Sequence, residues 1–129
     1  MHEMSVADGI RQIVEEAAAS AGAARVATVV VEIGELAAIE VDSLRFCFAA
    51  VMEGGVAAAA ALRIVRVPGQ GRCRACAASV ALAALYEACP RCGAYAVQPT
   101  GGTDMRVLEI EIEQDESEQD WSRHRPGAG

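Results

Sequence analysis

Apolar positions recur along the first half of the chain with two different periods. Val6, Ile10, Ile13, Val14 and Ala17 fall at three- and four-residue steps, the stripe of a helix predicted over residues 4–21. Ser5 followed by Asp8 makes a capping-box pattern near its start, and Gly22 is a natural stop. Residues 25–34 then carry Val26, Val29, Val30, Val31 and Ile33, a β-branched run that predicts a strand ending at Gly34. So continuous an apolar stretch fits a strand covered by helices on at least one face. Residues 35–40 read as a loop or short bend. Leu44, Cys47, Phe48 and Val51 form the buried stripe of a second helix from about Asp42 to Glu53, capped by Asp42 or Ser43 and stopped by Gly54-Gly55. Residues 62–67 predict a second strand, ended by Pro68-Gly69, while the alanine run before it carries little information.

The alternation returns at residues 105–113. Leu108, Ile110 and Ile112 would face one side, and Glu109, Glu111 and Glu113 the other, giving a half-buried strand with one wet, acidic face. Beyond it the chain turns polar, and 115–129 reads as a disordered acidic tail in which Trp121 and His124 are incidental. Between the strands, residues 68–103 are rich in Gly, Pro and Cys. Val80, Leu82, Leu85 and Tyr86 are about all this segment offers toward a core. The expected fold is therefore α/β: a small mixed sheet of about three strands with two helices, plus an inserted four-cysteine zinc-ribbon lobe. Residues 1–67, completed by a strand over 104–114, would form the α/β domain, and 68–103 the lobe, with Pro68-Gly69 and Gly101-Gly102 as a flexible junction.

Composition narrows the function. Apolar residues make up 53% of the chain but aromatics only 4%, so the core is built from small aliphatic side chains. A net charge of −7 disfavours a nucleic-acid binder, which needs a basic field for phosphate, and an anionic membrane surface as well. No stretch reaches the roughly 18 apolar residues of a membrane span. Glu3 and Asp8 replace the basic start of an export signal, so a reducing, cytoplasmic location is expected.

Two clusters carry candidate chemistry. Cys73-Arg74-Ala75-Cys76 and Cys89-Pro90-Arg91-Cys92, twelve residues apart, have the spacing of a tetrahedral four-cysteine zinc site. Each C-x-x-C turn aims two thiolates at one point, and four thiolates close the coordination shell, so this zinc would be structural. At the other end, Met1-His2-Glu3 sets a terminal amine, the His2 amide and its imidazole within chelating reach of one ion, a nitrogen set suited to Ni(II) or Cu(II). A helix beginning near Ser5 would anchor it. Cys47, between Phe46 and Phe48, reads as a small core side chain. No nucleophile–base pair, phosphate loop or open-shell metal triad points to an enzyme. A zinc-ribbon module binding nucleic acid or protein is the alternative, on the strength of Arg72, Arg74, Arg91, Tyr86 and Tyr95.

Several of these features together resemble one family. They are Met1-His2-Glu3-Met4-Ser5, Glu32-Ile33-Gly34-Glu35, Asp42-Ser43-Leu44-Arg45-Phe46-Cys47-Phe48, the paired cysteine knuckles and Arg106 to Ile112. Over residues 1 to about 114 the chain resembles the HypA/HybF hydrogenase nickel incorporation proteins. The resemblance implies a nickel metallochaperone that hands Ni(II), its transferable cargo, to the large-subunit precursor of [NiFe]-hydrogenase with the GTPase HypB, and in some organisms supplies urease. It implies nickel ligation by His2 through imidazole and backbone nitrogen, by the Glu3 backbone nitrogen, and near Glu40, where the family carries an acid. A carboxylate in that position is equally well explained as a helix-start residue favoured by the dipole. The resemblance also makes Cys73, Cys76, Cys89 and Cys92 ligands of a structural Zn(II), in a monomer or weak homodimer. Some relatives have a histidine beside a zinc cysteine. Here the histidines are His2 and His124, so acid sensing at the zinc is not implied.

Overall fold

The computed structural model describes residues 2–113; the Met1 amine and the tail expected over 115–129 lie outside it. In chain order the elements are α1 (Glu3–Ser20), β1 (Arg25–Gly34), a 3-10 turn (Glu35–Ala37), α2 (Val41–Met52), β2 (Ala61–Val67), β3 (Gly69–Cys73), β4 (Ser79–Leu82), β5 (Val97–Gly101) and β6 (Met105–Glu113). The strands form two three-stranded sheets, β2-β1-β6 and β4-β3-β5. In the first, β1 pairs parallel with β2, through a crossover containing α2, and antiparallel with β6. This is the small mixed sheet with two helices that the apolar pattern predicts.

The core lies between this sheet and the helices. Val26, Val29, Val31 and Ile33 of β1 pack against Ile10 and Val14 of α1 and Leu44, Phe48 and Met52 of α2. The stripe on α1 is rotated from the one expected. Ala7 and Ala18 are buried and Ile13 is half exposed at 48%, because two alanines let the helix lie close against its neighbours. The end of α1 follows the sequence signal. Gly22 takes φ +67, its amide donates to the Ala19 carbonyl, and the Ala23 amide donates to the Ala18 carbonyl. Those bonds satisfy carbonyls left over at the helix end.

The beginning of α1 differs from expectation. The helix starts at Glu3 with His2 as N-cap, and the Val6 amide donates to the His2 carbonyl at 3.1 Å. Ser5 and Asp8 therefore lie inside the helix and do not cap it. Strand β6 also departs from simple alternation. Glu109 stands opposite Val30, yet Val107 stands opposite Val31, so Leu108 is an extra residue at a bulge. The bulge resets the facing: Met105, Val107 and Ile110 reach the core, while Leu108 is 42% exposed.

The second sheet holds the segment that sequence reading left without a core. Strand β5 was not expected there, and its Pro99 is tolerated because β5 is an edge strand. Leu82, at the end of edge strand β4, is buried, whereas Leu85 and Tyr86 are exposed rather than packed. The crossings between the two sheets are tight. The Gly34 amide donates to the Asp104 carbonyl and the Leu36 amide to the Gly102 carbonyl, both at 2.8 Å. A Cβ on Gly34 would fall on the Gly102 carbonyl, and one on Gly69 would meet Leu36 Cγ at 2.7 Å. These glycines permit close approach of two backbones rather than slack.

Candidate metal centres

Two knuckles with the same hydrogen-bond pattern build the cysteine cluster. The Cys73 amide donates to the Ala78 carbonyl and the Ala77 amide to the Cys73 carbonyl; sixteen residues on, Cys89 pairs with Ala94 and Gly93 with Cys89 in the same way. Each turn needs a left-handed residue, supplied by Ala77 (φ +64) and Gly93 (φ +81). Strand β3 carries Cys73 into the lobe, and β4 and β5 flank it, so both turns converge on one point.

All four sulfurs lie within 4.8 Å of one another. Cys73 Sγ is 3.6 Å from Cys92 Sγ, and Cys76 Sγ is 3.8 Å from Cys89 Sγ. A zinc ion about 2.3 Å from each of four thiolates requires sulfur–sulfur edges of about 3.8 Å. The spacing thus fits the ion, and it is far too long for disulfides, all five cysteines being free. Cys73 and Cys89 are buried, Cys76 and Cys92 exposed.

The lobe also prepares thiolates. Cys73 is held below the ordinary thiol range by the backbone N–H of Cys76 first and that of Ala75 next, against burial. Burial opposes ionisation of Cys89, yet the N–H groups of Cys92 and Arg91 and the neighbouring thiols bring it down to about 7. The Arg91 amide lies 3.4 Å from its sulfur. At Cys92 the Ala94 N–H favours the thiolate, but the crowding sulfurs of Cys73, Cys76 and Cys89, with burial, push it up to about 11. Several thiolates cannot share so small a space without a cation among them.

Two of the residues expected at the nickel site, Glu3 and Glu40, meet across 37 positions of sequence. Helices α1 and α2 start side by side. The Glu40 amide donates to Glu3 Oε2 at 3.1 Å, and Glu40 Oε1 accepts the Asp42 amide at 2.9 Å. Glu40 is thus the N-cap of α2, with its carbonyl accepting from Leu44. Asp42 and Ser43, the caps expected from sequence, lie in the first turn instead. The donated amide holds the Glu3 carboxyl below the usual carboxylate range. His2 is exposed, with extended backbone (φ −85, ψ 107), and its side chain makes no capping bond.

This arrangement leaves nitrogen available. The amides of Glu3 and Met4 lie in the first turn of α1, where no residue stands four positions back to accept from them. Two converging helix N-termini repel a cation, and the carboxylates of Glu3, Glu40 and Asp42 offset that field. A groove of about 500 Å³ opens beside them, lined by His2, Glu3, Met4, Asp42, Ser43, Phe46 and Cys47. Sequence reading passed over Phe46 and Met4. Phe46 is 76% exposed; Phe48, two positions on, occupies the core at 4%. Cys47 is half-buried, packed against the core and also on the groove wall.

Comparison with known proteins gives one consistent result. A family model described as hydrogenase/urease nickel incorporation, metallochaperone, hypA matches residues 1–112. The hydrogenase maturation factor HypA of Azoarcus sp. (strain BH72) is 58% identical over 112 residues, covering 87% of this chain and 98% of that protein. The HypA of Dechloromonas aromatica (strain RCB) is 55% identical over 113 residues, 88% of this chain and all of that one. Among solved structures, the Ni metallochaperone HypA from Helicobacter pylori superposes with a TM-score of 0.64 at 32% identity, covering 89% of this chain and 100% of its own.

Proposed function

The chain belongs to the HypA family of hydrogenase and urease nickel-incorporation metallochaperones, and from that premise we propose that it takes up Ni(II) at the start of α1 and delivers it for maturation of [NiFe]-hydrogenase. The nickel ligands in this reading are the His2 imidazole and amide nitrogen, the Glu3 amide nitrogen and, more weakly, the Glu40 carboxylate. The observation that carries it is the bond between the Glu40 amide and Glu3. It holds the N-terminal residues against α2, so that gripping an ion costs less chain entropy.

The site is an open edge rather than a cage, which suits an ion that must leave. His2 brings an imidazole with no competing capping bond. Glu40 already accepts one amide through Oε1, leaving its second oxygen for the ion. Binding to amide nitrogen requires loss of their protons, so affinity falls as pH falls.

Cys73, Cys76, Cys89 and Cys92 would hold Zn(II) as a closed structural site. Zinc supplies there the cohesion that Leu82 and a few small side chains cannot, and it takes no part in transfer. The α/β part over 1–67 with 104–114 acts as the nickel domain and 68–103 as the zinc lobe. Partners in this reading are the GTPase HypB and the hydrogenase large-subunit precursor, in the cytoplasm, with urease maturation proteins as a second destination. The protein acts as a carrier, not as an enzyme.

Calorimetric titration of the zinc-loaded protein with Ni(II) tests the reading. One nickel per chain is expected, with affinity reduced at least tenfold by His2→Ala. Equal affinity in the variant would defeat the assignment.

A further inference from the structure

The groove beside His2 has features that holding an ion does not require. One wall is apolar: Met4 is 49% exposed and Phe46 76%, with half-buried Cys47 between the helices. The chain has only two phenylalanines, and this one contributes nothing to the core. A large aromatic held on a rigid helix at a groove of about 500 Å³ has the character of an interface anchor. Other exposed apolar side chains lie away from the groove lining, among them Ile13 on α1, Ile112 on β6 and Leu85 on the lobe. Val65 and Leu108 lie on the first sheet, and Tyr86 and Tyr95 on the lobe.

The rim is acidic. Glu3 and Asp42 line the groove, and the exposed carboxylate of Glu40 adjoins it. Arg45, the nearest arginine in sequence, donates to the Leu62 carbonyl at 2.8 Å. Among the described residues, no arginine lines this groove.

We infer that this groove is the docking socket for the protein that exchanges nickel with His2, and that it receives an apolar side chain carried on a basic surface. Phe46 and Met4 grip that side chain, and Glu3, Glu40 and Asp42 face arginines or lysines around it. Docking here sets the partner's ligands at the open edge of the nickel site. The inference deepens the nickel-delivery reading and rests on it.

The test measures docking and metal binding separately. The probes are purified GTPase partner and purified large-subunit precursor, each added without nickel to the zinc-loaded protein. Phe46→Ala is expected to weaken binding of at least one probe about thirtyfold, the effect of losing an interface anchor. Its nickel affinity and melting temperature stay at the parent's values, since the ring is exposed. Asp42→Asn should weaken the same complex severalfold at low salt and not at high salt. Parent-like affinity of both variants for both probes overturns the inference. So does a Phe46→Ala variant that loses only self-association in sedimentation, which would give the groove to a second copy. Unchanged nickel binding in His2→Ala would instead defeat the delivery reading, leaving the metal-free docking result to stand or fall alone.

Discussion

The backbone N–H of Glu40 donates to the carboxylate of Glu3 at 3.1 Å, tying the first turn of α1 to the cap of α2. That bond stabilises the ionised form of Glu3 and lowers its pKa. The Glu3 carboxyl should titrate below ordinary glutamates, as read from its carboxyl carbon shift in NMR. Because the folded value is depressed, the stabilisation is complete above the ordinary glutamate pKa and is lost as pH falls through the lowered one. Glu3→Gln should flatten that part of the stability profile.

Glu40 has two roles that two substitutions separate. Glu40→Ala removes the side chain that accepts the Asp42 amide and should cost about 0.5–1 kcal/mol of stability in denaturant titration. Glu40→Gln keeps an accepting oxygen and removes the charge, so stability should hold while nickel affinity drops severalfold. A fall in stability alone, with nickel affinity equal to the parent's in both variants, would make Glu40 a cap only.

Removing one zinc thiolate should collapse the lobe and spare the helices. Cys89→Ser is expected to lose about one equivalent of zinc by metal analysis and the amide signals of β3, β4 and β5. Signals from α1 and α2, and nickel uptake at His2, should persist.

The first knuckle stores strain that the second avoids. Ala77 sits at φ +64 where its counterpart is Gly93. Ala77→Gly should stabilise the lobe by about 0.5–1 kcal/mol, the relief of a left-handed alanine less the added freedom of the unfolded chain. Hydrogen exchange at the Cys73 amide would register the change.

The bulge in β6 makes neighbouring side chains unequal. Val107→Ala should cost about 1 kcal/mol, because Val107 reaches the core, whereas Leu108→Ala should stay within about 0.5 kcal/mol. Simple alternation along the strand predicts the reverse order.

Local patterns were legible in the chain. The apolar periods located α1, β1, α2, β2 and β6, Gly22 marked the end of α1, and the spacing of Cys73, Cys76, Cys89 and Cys92 marked a cluster whose sulfurs do converge. Each of these depends on residues within a few turns or one knuckle of each other, so side-chain type and spacing suffice. The tertiary structure alone decided that Glu40 rather than Asp42 caps α2, that Leu108 bulges outward, and that Phe46 opens onto the groove beside His2. It also decided that glycines 34, 69 and 102 serve contact between backbones. Those outcomes depend on pairing across dozens of residues, where the competing local arrangements differ by no more than one hydrogen bond or one buried side chain, and only the assembled sheet and helices choose between them.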